Sequence, residues 1–274
     1  MKAADIARLA NLRRADALTM IHRARAGHIG GAMSSLDILS FLYYDVLSVR
    51  PKEPCWPGRD RFVLSKGHSV EGLLALLADR GFFPAEELRE FAKAGSRLIG
   101  HPSTNVPGVE VCGGALGHGL PVGVGMALGA RRGGERFRAY VLMGDGELNE
   151  GSVWEAAMAG AHYGLDGLVA IIDRNGLQIS GGTESVMALE DLPAKWRAFG
   201  WDVAEVDGHD VDALLAYFHG LRAGGKPHCL IARTVKGKGL PFAENDPAWH
   251  HKVPDAEQLL AGYAALGVEG VAWA

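Results

Sequence analysis

Residues 139–182 read AYVLMGDGELNEGSVWEAAMAGAHYGLDGLVAIIDRNGLQISGG. Two short apolar runs, Ala139–Met143 and Leu168–Asp173, have the length and composition of buried strands. Between them, Gly151–Tyr163 carries apolar residues at helical spacing. Strand, helix and strand in this order predict a crossover unit of a parallel sheet. Working outward, Arg61–Leu64, Trp201–Val206 and His228–Ala232 read as further strands. Helical patterns cover Ser34–Val46, Glu71–Arg80, Leu116–Arg131 and Val211–Leu221. Near the N-terminus, Ile6, Leu9, Leu12, Leu18 and Ile21 mark one more amphipathic helix. The expected fold is α/β, a mostly parallel sheet sandwiched by helices. It forms a single domain over residues 1–274, with an extended C-terminal tail from about Lys236.

The bulk composition narrows the function classes. Of 274 residues, 48% are apolar and 22% charged, which suits a globular protein with a sizeable core. The net charge of −4 is spread along the chain, so neither nucleic acid nor a membrane surface is expected as a partner. No segment is long and apolar enough to span a bilayer, and the N-terminal residues lack the apolar stretch of a signal peptide. Cys55, Cys112 and Cys229 are odd in number, far apart and without CxxC spacing. They argue against a disulfide framework and fit a reducing cytoplasm.

Asp145 follows the first strand of the quoted stretch, flanked by Gly144 and Gly146. Asn175 follows the second strand, 30 positions later. Both side chains are then expected at the carboxyl ends of neighbouring strands, where open α/β sheets bind ligands. A carboxylate, an amide oxygen and a nearby carbonyl form a hard, all-oxygen set suited to Mg²⁺ or Ca²⁺. Mg²⁺ with so few protein ligands shares its shell with phosphate oxygens and water. The two glycines let backbone approach a phosphate, and the helix start near Gly151 favours an anion. Taken alone, Asp-Gly and Asn-Gly are ordinary turn dipeptides. Their pairing one crossover apart is what points to a site.

This Gly144-Asp145-Gly146 run followed by Asn175 resembles the thiamine diphosphate motif, and the surrounding text is similar to the transketolase family. AGHIGGAMSSLDIL, SKGH, GHPSTNVPGVEVCGGALGHG and AWHHKVP resemble further transketolase segments, in the family's order. The resemblance implies thiamine diphosphate with Mg²⁺ (or Ca²⁺ or Mn²⁺), held by the side chains of Asp145 and Asn175 and the carbonyl of Leu177. Gly144 and Gly146 lie against the diphosphate, with His68 nearby, while Gly114 and Leu116 pack on the cofactor. Glu150 matches an acidic residue linking two active sites, although a carboxylate at a helix start has a second reading as a partner of the helix dipole. His28, His101 and His250 are implied as catalytic groups that hydrogen-bond sugar hydroxyls and move protons. His251 competes with His250 for the last role. Any one of these histidines, taken alone, reads first as a structural or surface residue.

The resemblance covers only the first part of a full transketolase. It implies that the pyrimidine-binding domain comes from a separate C-terminal subunit, with an α2β2 heterotetramer expected. The implied activity is transfer of a two-carbon ketol unit from a ketose phosphate to an aldose phosphate. Alternatives are a 1-deoxyxylulose-5-phosphate synthase or 2-oxo-acid dehydrogenase component, and a non-catalytic regulatory paralogue. A nucleotide-binding Rossmann protein is a weaker rival, because Gly117, Gly119 and Gly123 do not fit G-x-G-x-x-G spacing. His118 and Ser180 depart from the residues usual in the family, and Pro121 falls near the start of its helix.

Overall fold

The computed structural model describes all of residues 1–274. The chain runs α1 (Ala3–Ala24), α2 (Ile29–Phe41), β1 (Arg61–Leu64), α3 (Val70–Asp79), α4 (Gly119–Gly133), β2 (Ala139–Gly144), α5 (Gly151–His162) and β3 (Leu168–Arg174). It continues with β4 (Leu177–Gln178), β5 (Gly181–Gly182), α6 (Thr183–Val186), α7 (Leu192–Ala198), β6 (Asp202–Asp207), α8 (Val211–Gly220), β7 (His228–Arg233) and α9 (Ala256–Leu266). Five strands form one all-parallel sheet in the order β1-β2-β3-β7-β6.

Alternation along each strand builds two cores. Phe62, Leu64, Tyr140, Leu142, Val169, Ile171 and Leu230 face one layer, which contains α1, α2, α3 and α8. Val63, Val141, Met143, Ala170, Ile172 and Ile231 face the other, built on α4, α5 and α7. Because both faces are covered, the strands read as unbroken apolar runs rather than as alternating ones.

Every expected strand is present, with ends shifted by no more than two residues. Helix starts differ more, and glycine is the reason. Helix α2 begins at Ile29, five residues before the expected Ser34, and all 13 of its residues are buried. Intrinsic propensity disfavours Gly30 and Gly31 in a helix. Close packing overrides it here: a Cβ on Gly30 would lie 2.9 Å from the Trp249 carbonyl, and one on Gly31 would collide with the Ser69 hydroxyl. The far end of α2 widens into a single π-turn over Leu42–Val46. Helix α4 starts at Gly119 rather than Leu116, since Gly117 (φ +78°) forms the turn before it. Pro121 then sits in the first turn, where its missing N–H costs nothing.

The hairpin β4–β5 and the short helices α6 and α7 have no counterpart among the expected elements. The expectation of an extended tail from about Lys236 is also corrected. After a short 3₁₀ turn at Pro247–His250, α9 packs on α1. Asp255 and Gln258 close a capping box at its start. Beyond it, buried Trp273 donates its indole N–H to Asp16 Oδ1 at 2.6 Å. No helix is long and apolar enough to cross a membrane. All three cysteines are free.

Candidate cofactor and metal site

The register Gly144↔Asp173 brings the carboxyl ends of β2 and β3 side by side. Beyond these ends lies a cavity of about 400 Å³. Gly144, Asp145, Gly146, Glu150, Asn175 and Leu177 line it, together with His68, Gly114, Leu116 and His250. That volume lies in the range of small-molecule sites.

Asp145 is 1% exposed. Its Oδ1 accepts from the Gly146 amide at 2.9 Å, and its Oδ2 accepts from the Gly176 amide at 2.6 Å and from Arg174 Nη1 at 2.9 Å. Burial, reinforced by the nearby Asp173 carboxylate, raises its pKa. A cation placed against this carboxylate would offset that penalty. The Asn175 amide has a fixed sense. Its Nδ2 donates to Asp173 Oδ2 at 3.2 Å, so Oδ1 turns the other way, where it accepts from the Leu177 amide at 3.1 Å. The Leu177 carbonyl accepts from Lys236 Nζ at 3.2 Å.

The donor chemistry fits a hard divalent cation. Two side-chain oxygens and a carbonyl lie on adjoining loops, and no group of three His, Cys, Asp or Glu side chains suited to a transition metal occurs anywhere. A diphosphate fits as well. Gly144 and Gly146 line the cavity without side chains, which lets a phosphate approach their backbone. Lys236 supplies a cation at the cavity wall. Burial, followed by repulsion from Lys66, lowers its pKa to about 8.

Five histidines meet beside the cavity. The His28 ring centroid is 5.3 Å from that of His68, 6.1 Å from His101, 5.7 Å from His250 and 4.6 Å from His251. His68 and His250 stack at 5.1 Å. Four separate loops therefore deliver the four expected histidines to one place. His250 lines the cavity and its Nδ1 lies 3.0 Å from Lys236 Nζ, whereas His251 is exposed, does not line the cavity and packs against the His28 ring. Burial is the main reason that His28 and His250 fall to about 4, with Lys236 and the other imidazoles adding to it. His68 is pushed lower still, by burial and then by Lys66. Near neutral pH these rings are uncharged and act as hydrogen-bond donors and acceptors.

Glu150 occupies the N-cap position of α5, yet its side chain makes no capping bond. It stands exposed at the cavity rim. His118 is exposed at the start of α4.

Several further residues shape the site that the sequence reading does not single out. Lys66, 1% exposed, pairs with the fully buried Asp173, whose carboxylate also accepts from Ser34, Thr234 and Asn175. Glu147 accepts from the Ser65 hydroxyl, from the Gly117 amide at 2.8 Å and from the Gly144 amide at 3.1 Å. It thereby ties together three loops around the cavity. Lys66 and Lys236 each lie within a few residues of a strand's carboxyl end. The rule that points to Asp145 and Asn175 reaches them too.

A family model described as transketolase, thiamine diphosphate binding domain, matches residues 6–271. One subunit of the apulose-4-phosphate transketolase of Phocaeicola vulgatus is 52% identical over 240 residues, spanning 87% of this chain and 85% of that protein. The 6-deoxy-6-sulfo-D-fructose transketolase subunit of a Clostridium species is 40% identical over 268 residues, spanning 97% and 98% respectively. The crystal structure of transketolase from Campylobacter jejuni superposes with a TM-score of 0.93 at 29% identity. That match covers 98% of this chain but 43% of the other.

Proposed function

The chain belongs to the transketolase family, matching its thiamine diphosphate-binding domain, and from that premise we propose that it is the diphosphate- and Mg²⁺-binding subunit of a two-chain transketolase. The reaction is transfer of a two-carbon ketol unit from a ketose phosphate to an aldose phosphate. One feature supports a separate partner: the relatives matched over 85% and 98% of their own length are named as transketolase subunits. That partner is a C-terminal subunit carrying the pyrimidine-binding domain, in an α2β2 assembly. The relatives' names favour a phosphorylated or sulfonated ketose as donor. Free cysteines and the absence of a membrane-crossing helix agree with a cytoplasmic location.

When bound, thiamine diphosphate supplies the electron sink for breaking and remaking the carbon–carbon bond. In this chain, Asp145, Asn175 and the Leu177 carbonyl would hold Mg²⁺, for which Ca²⁺ or Mn²⁺ could substitute. Gly144, Gly146, His68 and Lys236, which line the cavity, would face the diphosphate, while Gly114 and Leu116 would pack on the cofactor. Glu150, exposed and free of a capping bond, would link this site to the second active site of the assembly. His28 and His250 are held neutral, so they can hydrogen-bond sugar hydroxyls and exchange protons with them without first losing one, and His101 adds a third imidazole beside them.

The observation that carries this reading is the convergence of Asp145, Asn175 and the Leu177 carbonyl on the cavity that the histidine cluster adjoins. The test is ketol transfer measured for the chain alone, and again after co-expression with a pyrimidine-binding subunit, each with thiamine diphosphate and Mg²⁺. We expect turnover only in the second case. Appreciable turnover by the chain alone would rule out the two-chain reading.

A further inference from the structure

Glu71 is the fourth residue after Gly67, on the first turn of α3, and it is completely buried. Its Oε1 accepts the His28 backbone N–H at 2.8 Å. Its Oε2 is buried and has no partner. The Nδ1 atom of His28 is likewise buried without a partner. The Nε2 atom of His28 makes no internal hydrogen bond and is not buried in this way, so it is the nitrogen left facing the site. The spot is tight: a Cβ on Gly27 would lie 2.6 Å from Glu71 Oε1 and 2.6 Å from Ile21 Cγ1.

Two unpaired polar atoms on residues joined by the His28 N–H bond to Glu71, both shut off from solvent and not hydrogen-bonded to each other in this structure, are costly unless a small adjustment or one water lets them satisfy each other. Each can do so in two ways. A protonated Glu71 donates Oε2–H to Nδ1, which leaves the ring proton on Nε2. An ionised Glu71 accepts from Nδ1–H, which leaves a bare lone pair on Nε2.

We propose that Glu71 is a positioning residue that sets the tautomer of His28, directly or through one bridging water, and so decides whether His28 offers substrate a proton donor or an acceptor. The inference rests on His28 being the substrate-facing group assigned above. The switch leaves the ring neutral throughout. Glu71 gives its proton to solvent, and the single imidazole proton moves from Nε2 to Nδ1.

The electrostatics are compatible. Burial raises the Glu71 carboxyl to about 7, opposed by the His28 N–H and by Lys66, the one charged group that acts on it noticeably. His28 itself feels His251, His101 and Lys236, and burial keeps it neutral over the range in which Glu71 titrates. From α1, the neighbouring side chain is apolar Ile21, while Ser69 adds a buried hydroxyl without a partner.

The test is ¹⁵N NMR of the full chain with labelled histidine, recorded between about pH 6 and about pH 8, a range that brackets the expected midpoint. No cofactor, partner or turnover is needed, so the outcome is independent of the ketol-transfer assay. In the wild type, the His28 signal should pass from the Nε2–H to the Nδ1–H form as pH rises. Glu71→Gln should stay in the Nε2–H form throughout, because its amide oxygen accepts the His28 N–H while its NH₂ donates to Nδ1. A wild-type His28 whose tautomer does not change over this range overturns the proposal, as does an equal change in Glu71→Gln. If that variant fails to fold by circular dichroism, the wild-type titration alone decides.

Discussion

Replacing Asp173 by alanine removes the carboxylate that four donors share. Lys66 loses its counter-ion while 1% exposed and keeps only the Gly31 carbonyl, Thr234 loses its acceptor, and Ser34 and Asn175 fall back on backbone carbonyls at 3.1 and 3.5 Å. Removing one partner of a buried ion pair costs about 3–5 kcal/mol. A domain's entire stability is about 5–15 kcal/mol, so the loss should be visible at once. Lys66→Met leaves the carboxylate with three of its donors, so about 1–3 kcal/mol is expected. The double variant should be less unstable than the sum of the two, because no unpaired ammonium remains, with a coupling of about 1–3 kcal/mol. Urea unfolding followed by tryptophan fluorescence gives each value, provided that the m-values agree. The pH dependence offers a second reading. Burial alone would raise the Asp173 carboxyl, but Lys66, Ser34 and Thr234 outweigh it and hold the group below its ordinary value. Its contribution is therefore present above the unfolded value, near 3.9, and is lost as pH falls through the lower folded one. An Asp173→Ala protein within about 1 kcal/mol of wild type, or strict additivity in the double variant, would refute the account of a charged hub.

Asp145→Ala should abolish Mg²⁺-dependent binding of thiamine diphosphate in calorimetry on the purified chain, while circular dichroism is retained. Unchanged affinity would remove Asp145 from the ligand set. The histidine cluster predicts a second, milder acid effect. His28, His68 and His250 are held below their unfolded value of about 6.5. Their neutral burial contributes stability above that value, and the contribution fades as pH falls from it towards about 4. Urea midpoints recorded across this window should drop more steeply in the wild type than in a His28→Asn/His250→Asn variant. Parallel curves would mean that the rings are not buried neutral.

Much of this architecture is legible in the sequence because buried parallel strands announce themselves as apolar runs. The expected and observed strands coincide at Ala139–Gly144 and Leu168–Arg174 almost to the residue. The same runs point to Asp145 and Asn175 at their ends. The hairpin at Leu177–Gly182 is not legible, because two-residue strands carry no period. The early start of α2 is hidden because Gly30 and Gly31 answer to Trp249 and Ser69, far away in sequence. Distance in sequence also hides the buried polar groups. Glu71 and Glu147 look like ordinary surface carboxylates, and Asp173 like the mere end of an apolar strand, until the fold puts each against a backbone amide, a hydroxyl or an ammonium. The packing of the C-terminal segment is hidden in the same way, since its anchor, Trp273 on Asp16, spans 257 positions.

The sheet register also separates two kinds of evolutionary freedom. The groups assigned to the cation hang from two hydrogen-bonded neighbours, β2 and β3, whose alignment cannot slip by one residue without turning both cores inside out. The imidazoles come instead from loops that join different elements, each free to accept insertions or exchanges on its own. The proposed cation ligands are thus tied to the strand pairing, whereas the imidazoles depend on the loops alone.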